Sequence, residues 1–248
     1  MRIDNCPNLD SLPNADNLTS LRQLEISNCG KLKYLPTGLQ IQVSLEQLRI
    51  ENCPKLETVP NVDNLTSLRH LKIQKCDGLT SLLSKLPSCT SLELLSIESC
   101  NNLISVAEDV SNLSSLSSLS IKDCGKLKYF PRGLHCLTRL KELEIGGFCK
   151  ELDSLPEEIK YLHSVTSLSI QSFNGMEALP EWFGNLTSLT SLHIDSCENL
   201  THLPTIKAMQ HLTKFQTLWI VRCPRVKEGC IEDSGSEWHK ISHIPYIR

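Results

Sequence analysis

Three groupings of side chains have types and spacings that could do chemistry. His193, Asp195 and Cys197 lie within five positions of one another. An imidazole that deprotonates a thiol, oriented by a carboxylate, is the core of a thiol hydrolase. That chemistry also needs donors for a developing oxyanion, and no neighbouring phrase suggests them. His239 and His243 are four apart, as in helical zinc pairs, but the phrase His-Lys-Ile-Ser-His lacks the general-base glutamate of H-E-x-x-H. The serine-rich run from Ser111 to Ser120 contains no G-x-S-x-G elbow. The sequence therefore predicts a protein without catalytic residues, cofactor site or metal site. Each grouping fits a different frame, a repeat that fixes where every side chain points.

That frame is the pattern L-x-x-L-x-I-x-x-C-x-x-L-x-x-L-P. It recurs nine times, beginning at Leu21, Leu45, Leu68, Leu92, Leu116, Leu140, Val165, Leu189 and Phe215, with spacings between 23 and 26 residues. A partial copy with Ile3, Cys6, Leu9, Leu12 and Pro13 precedes them. The period falls in the leucine-rich repeat range. Within a unit, the alternation of Leu24 and Ile26 has the two-residue period of a short strand with one buried face. The three-residue spacing of Cys29, Leu32 and Leu35 then suits a turning, 3₁₀-like path, and Pro36 stops any regular helix. Phrases such as Pro180 to Leu186 return the chain along the outer side, with Phe183 and Leu186 offered to the core. No single unit can enclose its leucines, so the coils must stack and their strands must join in one parallel sheet. The expectation is an α/β repeat solenoid: a leucine-rich repeat horseshoe with a concave parallel β-sheet and an irregular, 3₁₀ or short-helix convex side. About ten repeats, the first partial, would occupy residues 1–232. After Asp233-Ser-Gly-Ser236, the apolar Trp238, Ile241, Ile244 and Ile247 predict a terminal cap over 233–248.

Eight of the twelve cysteines (Cys6, Cys29, Cys53, Cys76, Cys100, Cys124, Cys197 and Cys223) share one repeat position, just after the strand. A small, weakly hydrogen-bonding, apolar side chain suits a buried turn there, which predicts a structural ladder. Disulfides between rungs would need converging side chains, whereas identical positions point the same way. Zinc would need closer ligand spacing than rungs about 24 residues apart provide. Five Asn-x-Ser/Thr triplets, at Asn17, Asn64, Asn112, Asn185 and Asn199, would be glycan acceptors in a secreted chain. They also arise from the repeated phrase Asn-Leu-Thr-Ser-Leu.

The charges, 25 basic against 28 acidic residues, give a net of −3 without a basic block, which argues against a nucleic-acid partner. No apolar run is long enough to span a membrane, and the first ten residues lack the features of a secretory signal. With the cysteines read as reduced, these features favour a cytoplasmic location.

The phrases Leu-Thr-Ser-Leu-Arg-Gln-Leu-Glu-Ile-Ser-Asn-Cys at 18–29, Leu-Lys-Tyr-Leu-Pro at 32–36, and the ending from Cys223-Pro-Arg-Val to Glu237-Trp238-His-Lys-Ile241-Ser-His243-Ile-Pro245 carry a resemblance. Over essentially its whole length the chain resembles the C-terminal repeat region of plant intracellular nucleotide-binding leucine-rich-repeat disease resistance proteins of the coiled-coil class. The resemblance implies a protein partner, either a pathogen effector or a modified host protein, and an autoinhibitory contact with the nucleotide-binding domain of a parent receptor. The phosphate-binding loop G-x-x-x-x-G-K-S/T of that class is missing here, so no nucleotide chemistry carries over. The chain opens in mid-repeat, which is expected of a fragment. An extracellular receptor ectodomain and a substrate-recognition adaptor remain as rival readings.

The outward strand positions define the candidate binding face. One row runs Glu25, Arg49, Lys72, Ser96, Ser120, Glu144, Ser169, His193 and Trp219, and a second, two residues on, includes Asp195 and Val221. The candidates are Glu25, Arg49, Lys72, Glu144, His193, Asp195, Trp219 and Arg222. Trp219 beside Val221 and Arg222 has the composition of an interface anchor, although contact with the cap would also account for a tryptophan there.

Overall fold

The computed structural model describes residues 1–248 except 17, 40–41, 60–64, 84–88 and 150–153. The expected repeat appears as a succession of short strands: β1 (Arg2–Asp4), β2 (Gln23–Ser27), β3 (Gln47–Glu51), β4 (His70–Gln74), β5 (Ser81–Leu83), β6 (Leu94–Glu98), β7 (Ser105–Ala107), β8 (Ser118–Lys122), β9 (Glu142–Gly146), β10 (Ser167–Gln171), β11 (Ser191–Asp195), β12 (Thr217–Val221) and β13 (Tyr246–Ile247). Eleven of them form a single sheet in the order β1-β2-β3-β4-β6-β8-β9-β10-β11-β12-β13, and every pairing is parallel. The chain is thus the leucine-rich repeat horseshoe that its period predicts.

Register follows from the leucines. Leu24, Leu48, Leu71, Leu95 and their equivalents lie opposite one another, as do Ile26, Ile50, Ile73 and Ile97. A slip of one residue would turn every one of these side chains outward. Leu24, Ile26, Cys29, Leu32 and Leu39 of one coil are fully buried, and the same positions recur in one continuous core along the stack. The coils are also stitched together by their backbones. The Arg22 carbonyl accepts from the N–H groups of both Glu46 and Gln47, and the Glu46 carbonyl accepts from Arg69 and His70 in the next step.

A conformational rule accompanies this stitching. The residue that follows each concave strand of the repeat is left-handed: Asn5, Asn28, Asn52, Lys75, Ser99, Asp123, Ser172, Ser196 and Arg222 have φ between 52° and 56°, and Gly147 has φ of 70°. From Asn5 to Ser196 its N–H donates to the carbonyl at the end of the next strand, as Asn28 does to Glu51 at 3.0 Å. The left-handed turn reverses the chain into the core so that the following cysteine faces inward. At Gly146 the requirement is steric: φ is 147°, and a Cβ would lie 1.9 Å from the Gln171 carbonyl oxygen.

The return segments vary. Among the described residues they contain 3₁₀ turns at Leu134–Cys136, Glu157–Tyr161 and Glu181–Asn185, and the helix α1 (Ile206–His211). Phe183 and Leu186 enter the core as the apolar spacing predicts. A second, discontinuous parallel ladder, not expected from the sequence, follows the cysteine turns: β5 pairs with β7, and single bridges join Tyr34 to Thr58, Asp109 to Arg132 and Ala178 to His202. Beyond β12 the chain leaves the repeat through α2 (Pro224–Gly229), with proline at its first turn where the missing N–H costs nothing. It continues through α3 (Trp238–Ile241) into β13. Ile241 and Ile244 are buried and Trp238 and Ile247 pack against the core, so this segment covers the last coil.

Candidate functional site

Because the strands are in register, the outward side chains form straight rows across the concave sheet. Glu25 lies opposite Arg49, Arg49 opposite Lys72, Ser120 opposite Glu144, and His193 opposite Trp219. The eight candidates share one face but separate into three groups along it.

At the N-terminal end, Arg49 is exposed and reaches Glu51 on its own strand at 2.7 Å. Glu25 is half-buried, with Arg2 of β1 at 3.9 Å. Lys72 stands between Arg49 and Ser96. In the middle, Glu144 accepts from Lys122 at 2.8 Å and from Ser120 at 3.0 Å. Burial alone would raise the Glu144 carboxyl, but these donors outweigh it and hold the group below its usual range. Ser96 and Ser120 are buried among their neighbours, so what the middle of the sheet exposes is chiefly the paired Lys122 and Glu144.

The C-terminal end is different. The Trp219 side chain meets the His193 ring edge to face at 5.8 Å, yet Trp219 stays 47% exposed and Val221 39% exposed. Arg222 closes on Asp195 with two nitrogens, Nε at 2.8 Å and the other as a direct ion pair, which depresses the Asp195 carboxyl. A fixed acid–base fork therefore stands beside an open aromatic surface. The cap adds residues that the repeat pattern did not reveal. Tyr246, 68% exposed, lies opposite Thr217, and the Arg248 backbone bonds on both sides of Trp219: its N–H donates to the Leu218 carbonyl at 3.0 Å and its carbonyl accepts from the Ile220 N–H at 2.8 Å. The alternation Tyr246-Ile247-Arg248 is the only sequence signal of this last strand, and it is too short to stand out without the sheet edge it completes.

The apparent thiol-hydrolase grouping is divided by the strand. His193 and Asp195 face outward, whereas Cys197 is fully buried with its thiol directed to the Asp195 carbonyl at 3.6 Å. Its hydrogen bond with Cys223, together with burial, holds the Cys197 thiol far above its usual range. Cys197 occupies a ladder rung like the others. In the rungs the S–H donates to the carbonyl two residues back, at 3.3 Å for Cys29, Cys76 and Cys124. Burial pushes Cys53 and Cys100 up to about 11 and Cys124 to about 12. Where the ladder lacks cysteine, Phe148 and Phe173 take the slot, stacked edge to face at 5.9 Å. Among the described residues, no group of three His, Cys, Asp or Glu side chains is placed to hold a metal, and no helix is long and apolar enough to cross a membrane. Of the glycosylation motifs, Asn112 and Asn185 are exposed, Asn199 spends its amide on the Asn174 carbonyl at 2.6 Å, and Asn17 and Asn64 lie outside the described residues.

Fold and face together define a leucine-rich repeat domain, a scaffold whose concave sheet presents rows of outward side chains. Residues 150–223 match the R13L1/DRL21 leucine-rich repeat family. Among solved structures, the leucine-rich repeat domain of the type III effector XopL matches with a TM-score of 0.60 and 22% identity, over 99% of this chain and 74% of that one. The structure of the Toll–Spätzle complex of Drosophila matches with a TM-score of 0.53 and 16% identity, over 82% of this chain and 27% of that one. These likenesses establish the fold. No curated protein sequence matches significantly.

Proposed function

We propose that this chain is the recognition module of a plant disease-resistance receptor, acting in the cytoplasm, that binds a pathogen effector or a modified host protein. In this reading it also contributes to autoinhibition through the nucleotide-binding domain of a parent receptor. The observation that carries the reading is the C-terminal end of the concave sheet, where Trp219, Val221 and Tyr246 are exposed beside the Asp195–Arg222 fork. Aromatic residues and arginine dominate interface hot spots, and Trp219 is already oriented by His193, so little side-chain entropy is lost on docking. The R13L1/DRL21 match covers β11 and β12, which carry Asp195, Trp219 and Val221, and the adjoining Arg222. Thiols that donate to their own turn carbonyls suit a reducing compartment.

The test is co-expression in plant cells with the nucleotide-binding segment of a receptor that carries the same repeat family. The chain should co-precipitate with that segment and restrain its signalling. Trp219→Ala combined with Arg222→Glu should keep the restraint but lose the response to effector. Failure to associate, together with glycans on Asn112 and Asn185 of the native protein, would instead support the extracellular reading.

A further inference from the structure

Between the cap and the last coil lies a cleft of about 660 Å³ that shares no residue with the two concave rows. One wall is α1, where Ile206 and Gln210 stand four apart on one helix face. The opposite wall is α3 and the turn after it, which contribute His239, Ser242 and His243. Leu212 and Phe215, both buried, form the floor, and Pro245 closes one end.

The charge of this cleft is one-sided. Lys214 joins the two histidines in its lining, and among the described residues no aspartate or glutamate lines it. Among the described residues, Lys214, His239 and His243 enter no ion pair, whereas nearby Lys240 is neutralised by Glu237 at 2.7 Å. Two histidines without a third protein ligand fall short of a zinc site, so their nitrogens are available for an anion instead. A cleft with cationic and neutral donors over an apolar floor concentrates anions, and its volume is in the range of small-molecule pockets.

We propose that this cleft binds a small amphipathic anion. An aromatic or alkyl body would lie over Phe215, and a carboxylate or phosphate monoester would be held by Lys214, His239 and His243, with Gln210 and Ser242 as neutral donors. The juncture of cap and solenoid is then a second binding site, independent of the concave face.

Calorimetric titration of the full chain with 1-naphthyl phosphate, 1-naphthoate and the neutral 1-naphthol tests this. At least one of the two anions should bind saturably at one site per chain, and 1-naphthol at least about tenfold more weakly. Lys214→Glu and His243→Glu should each weaken the anion at least about tenfold with unchanged melting temperature, while Lys31→Glu, on a remote turn, leaves affinity as it is. Tighter binding of the phosphate assigns the head group as a monoester, and tighter binding of the naphthoate assigns a carboxylate. No saturable binding of either anion, equal binding of 1-naphthol, or an unchanged affinity in folded Lys214→Glu protein would each overturn the proposal. If both charge-reversed variants fail to fold, the comparison of anions with 1-naphthol on the native chain decides.

Discussion

The carboxylate of Glu237 lies 2.7 Å from the backbone nitrogen of Leu203, and through this contact the cap is fastened to the stack. Lys240 completes the joint. Its ammonium donates to the Leu203 carbonyl at 3.1 Å and to Glu237 at 2.7 Å, so both backbone groups of Leu203 are met by opposite charges that also meet each other. The Glu237 side chain is only 4% exposed, and removing one partner of such a buried set leaves the others desolvated and unpaired. Glu237→Ala should therefore lower stability by about 2–4 kcal/mol. Glu237→Gln, which can still accept from Leu203, should lose less. Urea unfolding measures both, and a loss below about 0.5 kcal/mol for the alanine variant, the level of an ordinary surface substitution, would show that the cap is held by its apolar side chains alone.

Acid should loosen the same joint. Burial raises the Glu237 carboxyl, but Lys240, the Leu203 N–H and His202 outweigh it and leave the group below its usual value. Asp195 is lowered chiefly by Arg222, and Glu144 by Lys122 and Ser120 against its burial. A carboxylate with a depressed folded pKa contributes stability that is fully present above its unfolded value, about 4.3 for Glu and 3.9 for Asp. That contribution disappears as pH falls through the lower folded value. Lys122, raised by Glu144 and its acidic neighbours against burial, has the opposite sign, and its contribution is lost only in strong alkali. Unfolding midpoints should thus be flat near neutrality and fall below about pH 4.3, with a shallower acid limb in Glu237→Gln. A midpoint independent of pH down to about 3 would contradict these assignments.

The rung cysteines make a chemical prediction. Cys29, Cys53, Cys76, Cys100 and Cys124 are fully buried, and desolvation raises each thiol. At pH 8 they should resist a thiol-specific disulfide reagent, and all twelve cysteines should react once the chain is denatured. Cys76→Ala would remove the thiol that the Gln74 carbonyl accepts from at 3.3 Å, but that carbonyl keeps the Asn52 N–H at 3.0 Å, so the change should cost about 0.5–1.5 kcal/mol, the net worth of one hydrogen bond. Rapid labelling of rung thiols in the native protein would show that the coils open readily.

How much of this was legible beforehand depends on which physical signal each feature rests on. The strand rows were readable because Leu24 and Ile26, Leu48 and Ile50, and so on alternate with polar neighbours at a fixed period. A buried face every second residue leaves no freedom of register. Burial of the cap's isoleucines was readable for the same reason, from hydrophobicity alone. The latch was not, because Glu237 and Lys240 look like any solvated charged pair until a backbone 34 residues earlier comes within reach. Nor was the left-handed turn. Asn5, Asn28 and Asn52 suggest it in hindsight, but Lys75, Ser99 and Arg222 occupy the same conformation and disfavour it locally, so the tertiary stack overrides their preference. The sheet row that passes beyond Trp219 to Arg248 was hidden because β13 has two residues and no repeat before it.

That override can be measured at Lys75. Its φ is 53°, its N–H donates to the Glu98 carbonyl at 3.0 Å, and its side chain is exposed without an ion pair among the described residues. A non-glycine residue held left-handed costs on the order of 1–2 kcal/mol, and asparagine bears that conformation best among the others. Lys75→Asn should therefore stabilise the chain by about 0.5–1 kcal/mol. It also places an amide beside Asn52, extending the side-chain contact that Asn52 already makes to Asn28 at 2.9 Å. Lys75→Val should destabilise by a similar or larger amount, because a β-branched side chain clashes most in this region. Equal stability of the asparagine, valine and native chains in urea would mean that the turn relaxes at no cost, and that the stitching bond from residue 75 to Glu98 does not fix its backbone.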